Sequence, residues 1–488
     1  AVHPNNHTGG YTYRDVQTTD PDIIAFQDSP VGTGTVKSRQ YWAEAHWNMG
    51  WATLTYLPAL RTWHQDSNAI FTGFTSGTQT KQTPKDNFWT QELRLASNSG
   101  SKLIWQTGAL YYKNDLRTFN SNTFSNGAHA YISDTTKHTT AFGIFGEMTY
   151  PFTDNLRLTA GLRYDVTKVQ VAQDYTSNIA LATNPSGLPE DLVTASLPAD
   201  LGTQKFHNWT YKIRLENDLT PSNMVYGSVA TSFSPGDVSL TTCAPTNAPC
   251  PVVLAAETLT AFEIGTKNRF LSNRLQVNGA VYYYDYGGYQ TAGINVSPNP
   301  LNPVFQTLSV PVKSYGFEMD AVYQITGADR LMLNFAYTHA RYVDKSALFA
   351  QFVANDTIST AVPFTANATY EHVFTFAGGS NLRFRADGRY LSPRNITDVT
   401  QQQVDVGADK YAHMGSEFIG NVNATWTSAD DRFSVTGYVR NITDNRYFVA
   451  RTITTTGFSG PVPSDQWTFA TQALSDPRTY GFVVGVRF

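Results

Sequence analysis

Read two residues at a time, the chain end TYGFVVGVRF sorts into two faces. Tyr480, Phe482, Val484, Val486 and Phe488 point one way and Thr479, Gly481, Val483, Gly485 and Arg487 the other, the period of a β-strand with one apolar face. The pattern recurs upstream. Trp209, Tyr211, Ile213 and Leu215 alternate with Thr210, Lys212, Arg214 and Glu216, and Leu382, Phe384, Ala386, Gly388 and Tyr390 alternate with Arg383, Arg385, Asp387 and Arg389. Strands of soluble sandwiches run about five or six residues. These continue for about ten, the length that crosses a bilayer at a tilt. No long segment carries a helix period. Chain ends fray unless something holds them, so an apolar stripe running out to Phe488 predicts a strand that is held.

Between the alternating stretches the connections fall into two classes. Short ones with turn chemistry lie at 48–50, 97–101, 151–155, 220–223, 270–273, 326–329, 377–380 and 428–431, each flanked by strands. Longer ones, rich in Asn, Thr, Ser, Pro and Gly, lie at 61–87, 166–206, 233–256, 287–311, 343–361, 392–415 and 445–477. Alternation of short and long connections is the signature of an outer-membrane barrel, with short turns on the periplasmic side. The predicted fold class is therefore all-β, a transmembrane antiparallel β-barrel. Eight short hairpins supply sixteen strands and the terminal strand a seventeenth. Single-chain barrels close with an even number, and residues 11–16, YTYRDV, offer an eighteenth. On this division residues 1–38 are an outer loop with a partial strand, and residues 39–488 the barrel.

Composition agrees. Charged residues make up 15% and aromatic ones 13% of the 488 residues, which suits strands that set each lipid-facing residue against a water-facing neighbour. No run of 18 apolar residues calls for a transmembrane helix, and AVHPNNHTGG is not a secretory signal. The net charge of −4, with Lys and Arg scattered, gives no electrostatic footprint for nucleic acid. Catalytic signatures (G-x-S-x-G, H-E-x-x-H, a P-loop) are absent, so no enzyme, cofactor or metal site is expected. His3 and His7 stand alone near the start, Asp430 and Asp431 read as turn residues, and the NIT triplets at Asn395 and Asn441 read as polar turns. Cys243 and Cys250, with six residues between them in a Pro-rich loop, suit a disulfide in an oxidising compartment; a metal pair there lacks further His or Cys.

Several stretches resemble the C-terminal barrel of TonB-dependent outer-membrane receptors. They are FWTQELRLAS (88–97), FGEMTYPFTDNLRLTAGLRYD (145–165), YGSVATSFSPG (226–236), ETLTAFEIGTKNRFLSNRLQVNGAVYYYDYGGYQ (257–290), SYGFEMDAVY (314–323), VTGYVRNITDNRYF (435–448) and the final aromatic strand. The resemblance implies a 22-stranded barrel of which this sequence holds about 17 or 18 strands, with Phe488 ending strand 22 and the plug, the TonB-contacting box and the first strands lying outside the sequence. It also implies a role in importing a scarce nutrient, a siderophore-type iron complex or an organic ligand, energised by the TonB complex. The remaining partners expected are outer-membrane lipid, lipopolysaccharide and a small-molecule ligand. The Tyr480–Phe488 stripe would be the signal read by the assembly machinery.

For the ligand itself, the candidates are Arg163 and Arg389, polar-face arginines near the outer ends of their strands that suit an anion. Phe233 joins them, in a stretch that climbs to the outer face where rings can stack, and the family resemblance implies Tyr289 and Gln290 as well, since they stand where a strand enters its outer loop, a usual place for ligand contacts. The plainer reading is that wall carboxylates pair the arginines and that the aromatics form an interfacial girdle. Two other functions stay open, a passive eighteen-stranded porin without a plug and the barrel half of a split two-chain receptor.

Overall fold

The structure, a computed structural model, describes residues 5–7, 10–12, 33–72, 77–98, 100–124, 129–178, 191–199, 201–243, 248–295, 305–343, 353–354, 357–359, 361–399, 401–405, 407, 409–457 and 466–487. Among them, seventeen strands make one antiparallel wall of barrel type, and a short further strand, Leu192–Leu197, pairs with the outer stretch 173–178 of one of them. The first is β1, Thr33–Trp42, resumed as Ala45–Asn48, and both pieces pair with β2. Then come β2 Ala52–Thr72, β3 Gly77–Ser97, β4 Ile104–Phe124, β5 His129–Pro151 and β6 Leu156–Asn178. They continue as β7 Thr203–Thr220, β8 Asn223–Ser234, β9 Glu257–Phe270, β10 Leu275–Asn295, β11 Phe305–Gln324 and β12 Asp329–Tyr342. The wall ends with β13 Phe364–Thr375, β14 Asn381–Leu391, β15 Glu417–Thr427, β16 Phe433–Arg440 and β17 Thr479–Val486. Each pairs with the next in sequence, so the strand order is the simplest that hairpins can build.

The eight short turns join strand ends where the residues foretold them. At Gly50 the backbone takes φ +89°, and its N–H donates to the Asn48 side chain at 2.8 Å. The eighteenth strand is corrected: Gly10–Thr12 pairs with Asn5–His7 as a separate two-stranded hairpin, and residues 13–16 lie outside the described ones. The barrel closes where β17 lies beside β1, and on this stretch Phe482 is 78% and Trp42 69% exposed.

Several expected loops are partly strand. β2 to β6 are 21 to 23 residues long, about twice what a bilayer requires, so 61–72, 77–87 and 166–178 belong to paired strands. Their outer halves carry Thr, Asn, Asp and Lys on both faces. With no apolar side to mark, the alternation is lost although the backbone ladder continues. The connections after β8 and β16 hold hairpins of their own, Asp237–Cys243 with Ala248–Leu254 and Phe448–Gly457 with Gln466–Leu474.

Register fixes which way each side chain faces. Along β7 the odd residues Trp209, Tyr211, Ile213 and Leu215 are exposed on the outer surface, whereas Lys212, Arg214, Glu216 and Asp218 face inward, where Lys212, Glu216 and Asp218 pair with charges on nearby strands and Arg214 with Glu216 on its own. The outer series runs on through Phe142, Ile144, Leu162, Phe262, Ile264 and Val281. Because the inner face is polar, the buried apolar clusters are small and lie at the outer mouth. One gathers Val310, Val312, Tyr342 and Val353, and another Val169, Val171, Leu197 and Val238.

Candidate functional site

The inner wall divides into a neutralised and a cationic part. Near the short-turn end of β6 to β9, Arg157 donates to Glu216 at 2.9 Å and to Asp218 at 2.5 Å, Arg214 pairs with Glu216 at 2.8 Å, and Lys212 reaches Glu147 at 3.2 Å. The Arg214 guanidinium lies 4.3 Å over the ring of Tyr226, whose hydroxyl donates to Glu263 at 2.6 Å. These charges offset one another and brace the wall, although Arg214 Nε is buried without a hydrogen-bond partner. Arg163 belongs with them. It grips Asp165 at 2.6 and 2.7 Å and lies 5.8 Å over Phe145, so it is held by the wall in the way the plainer sequence reading expected.

From β13 to β16 the balance changes. Arg383, Arg385, Arg389 and Arg440 all take inward positions. Their carboxylate contacts are long, 3.9 Å from Arg383 to Glu371 and 3.8 Å from Arg385 to Asp387. Arg389 is exposed and donates to the Tyr447 hydroxyl at 3.1 Å, and Arg440 lies 4.9 Å over Tyr438. A phenol and a ring leave the positive charge uncompensated, so this part of the wall is suited to attract an anion.

At the mouth, a bulge decides where the aromatics point. Tyr286 faces Val312, the register then shifts, and Tyr289 faces Val310. The shift turns on Gly288 at φ +76°, a conformation that costs most side chains strain. As a result Tyr286 and Tyr289 both point inward and meet edge to face at 5.9 Å. They pack on Val310, Val312, Tyr342, Val353 and Ile358. Tyr342 donates to Asp398 at 3.1 Å, and Asp398 also accepts the Ser359 hydroxyl. Tyr289 is thus part of the packing that holds a loop inside the mouth. Gln290 gives its amide to the carbonyls of Ala255 at 3.0 Å and Pro235 at 3.4 Å and its N–H to Glu257 at 3.2 Å, tying β10 to the base of the Asp237–Leu254 hairpin. Phe233 pairs with Thr258 in the outward-facing series of β8 and β9, away from the inner wall. Of the five expected ligand residues, the mouth therefore gathers Tyr289 and Gln290, while Arg163 and Arg389 stand apart on opposite parts of the sheet.

A family model described as TonB dependent receptor-like, beta-barrel, matches residues 2–442. The chain belongs to that family. The solved structure of the ferric yersiniabactin uptake receptor FyuA from Yersinia pestis aligns with this receptor barrel at a TM-score of 0.74 and 14% identity, covering 95% of this chain and 63% of that one. The ferric-catecholate import receptor Fiu from E. coli K12, in its closed form, gives 0.66 at 14% identity, over 94% and 64%. The copper transporter OprC gives 0.58 at 14%, over 93% and 74%. At such identities the likeness is one of fold. The chain spans less than two thirds of the length of either siderophore receptor.

Barrels of this family are outer-membrane proteins of Gram-negative bacteria, and the family is one of receptors and transporters. In the receptor barrel the outer series of β17, Tyr480, Phe482, Val484 and Val486, is the exposed one, as the alternation predicts; Phe488 lies outside the described residues. Among the described residues no group of three or more His, Cys, Asp and Glu has the arrangement of a metal site, and no helix is long and apolar enough to cross a membrane. Cys243 and Cys250 occupy facing strands two residues out of register, Cys243 opposite Ala248 and Cys250 opposite Thr241; their side chains, and the expected disulfide, lie outside the described ones. The sequence reading missed the anchor of that hairpin. Asp237 reaches across to Lys137 at 2.6 Å, and Val238 enters the cluster formed by Val169, Val171 and Leu197. The one local signal was the apolar doublet at 252–253 inside a segment otherwise marked by Pro and Thr.

Proposed function

We propose that this protein is an outer-membrane receptor that captures a scarce nutrient outside the cell and imports it into the periplasm with energy from the TonB complex. The ligand is a siderophore-type iron complex or an organic compound with ring or sugar-like surfaces. The observation that carries the reading is the cationic inner surface of β13 to β16, where four inward arginines outnumber the two carboxylates near them, on a barrel of a receptor family. An anionic ligand, such as an iron complex of carboxylates or catecholates, is drawn to such a surface and loses little to competing wall carboxylates. Family membership supports the dependence on TonB, and the siderophore and copper transporters that share the fold support the class of cargo.

The test is uptake by cells carrying the complete receptor, with a panel of radioiron siderophores, in matched strains with and without functional TonB. Saturable uptake that vanishes without TonB is the expected result. Energy-independent, ohmic conductance of the purified protein in planar bilayers would refute it in favour of a passive channel. Uptake that requires a second, separately encoded polypeptide would point to a split receptor.

A further inference from the structure

One hollow in the wall is on its outside. A groove of about 450 Å3 crosses the outer face from β12, where Leu331 and Phe335 lie in the half next to the short turn, to the outer halves of β14 and β15, where Tyr390 and Phe418 line it. Ala368, Gly388 and Gly420 are register neighbours on three adjacent strands and form its floor. The rows on either side carry large side chains: Tyr370 on one bank, and Phe335, Tyr390 and Phe418 on the other. Phe418 leans over the floor closely enough that a Cβ at Gly388 would come within 3.1 Å of its ring. At one end Ile442 closes the groove, and a Cβ at Gly420 would meet it at 3.1 Å.

The turn that carries Ile442 is rigid. Asn441 is buried, takes φ +50°, and gives its amide to the carbonyls of Asn445 at 3.0 Å and Asp476 at 3.1 Å, while Asn445 is bound to the Phe418 carbonyl at 3.1 Å. This knot brings Arg478 to the mouth of the groove. Its guanidinium donates to the carbonyl of Ile442 at 3.5 Å, is 52% exposed, and has the Asp444 carboxylate only at 3.9 Å, which lies equally far from Arg446. A guanidinium carries five donors, so it keeps several for a further anion.

We propose that this groove binds one chain of an outer-leaflet lipid whose phosphorylated headgroup rests on Arg478, a site that rests on the outer-membrane reading above. Its width argues for a single hydrocarbon chain. The two banks are four residues apart along each strand, roughly 13 Å between backbones, and their aromatic side chains narrow that further. An α-helix about 10–12 Å across cannot reach the floor, whereas a polymethylene chain lies along it and meets apolar atoms on three sides. A guanidinium at the outer end supplies bidentate recognition of phosphate where an outer-leaflet headgroup sits. A neutral lipid gains nothing there.

The test uses the complete protein extracted from outer membranes in mild detergent, with bound lipid counted by native mass spectrometry and phosphorus analysis. Ala368→Phe fills the floor, Arg478→Gln removes the charge, and Ala160→Phe adds an equal ring to the outer face of β6 as a control. Wild type and Ala160→Phe should retain about one phosphorylated lipid per barrel through dilution. Ala368→Phe should lower retention about tenfold, the scale of losing a few chain contacts. Arg478→Gln should keep a bound chain but lose the preference for phosphorylated over neutral lipid. Equal retention in Ala368→Phe and wild type, or none in wild type, overturns the proposal. Membrane fractionation of the same variants reports the outer-membrane reading separately: a barrel that reaches the outer membrane yet holds no lipid condemns the groove alone.

Discussion

Arg394 and Glu417 form the most buried ion pair among the described residues. Their contact is 2.7 Å, with 11% and 4% of the side chains exposed, and it ties the segment after β14 to the first residue of β15. The pair is single-pronged. Arg394 Nη1 and Glu417 Oε2 are buried without a hydrogen-bond partner. Substituting Arg394 by Met leaves a buried carboxylate with nothing to offset its desolvation, which costs about 3–5 kcal/mol. Because one carboxylate oxygen is already unpaired, part of that penalty exists in the wild type. The expected loss is therefore near the lower end, about 3 kcal/mol. Replacing both residues, Arg394→Met with Glu417→Leu, removes both charges and should return stability to within about 1 kcal/mol of wild type or above it. The assay is urea unfolding of the barrel refolded in lipid vesicles, read by tryptophan fluorescence and paired with hydrogen exchange over 392–417. The exchange measurement is needed because a loop that opens locally caps what the global transition can lose. A single variant that changes neither readout by as much as about 1 kcal/mol, or a double variant as unstable as the single, would show that the pair is not the constraint its burial indicates.

Gly288→Val forces a β-branched residue into φ +76° and sets its Cβ 2.6 Å from Ser309 Oγ. It should cost about 2 kcal/mol and speed exchange at 305–312, and unchanged exchange there would dismiss the bulge as the device that turns Tyr289 inward. Phe482→Arg puts a charge on the exposed outer face of β17 and should lower stability in bilayers by about 2–4 kcal/mol, while the same protein in urea-free detergent is much less affected; equal effects in both would argue that this face does not meet lipid. The outer extensions of β4 and β5 should loosen in acid. Hydrogen bonds from His138 to Asp115 and from Arg117 to Asp134 hold both carboxyls below the usual range, so their contribution is present above the ordinary carboxylate pKa near 4 and is lost as pH falls through the lower folded values. With Arg117 64% exposed, solvent screening keeps this gain small. Amide infrared melting should show these strand ends weaker at pH 2.5 than at pH 5, and equal or greater strength at the lower pH would contradict the pairing.

The wall itself was legible in the residues. Alternation in 209–216, 382–390 and 479–487 marks strands, and turns such as 48–50 and 428–431 mark their ends, because facing lipid on one side and water on the other writes a period of two into any strand that spans a bilayer. Where that contrast ends the sequence goes quiet, which is why the polar outer halves of β2 to β6 read as loops.

Pairing of specific side chains was a different matter. Arg163 and Arg389 look alike in sequence, each with an Asp two residues away on its own strand, yet Arg163 grips that Asp165 while Arg389 reaches the distant Tyr447 hydroxyl instead. Tyr289 faces inward only because one bulge at Gly288 reverses the alternation that Tyr282–Tyr286 establishes. The groove over Ala368, Gly388 and Gly420 has no sequence signature at all, being three small residues far apart in the chain that register lines up across three strands. Period and turn chemistry are local and so were fixed by the sequence itself. Register, bulges and the meeting of distant side chains depend on the whole folded sheet, and only the tertiary structure decided them.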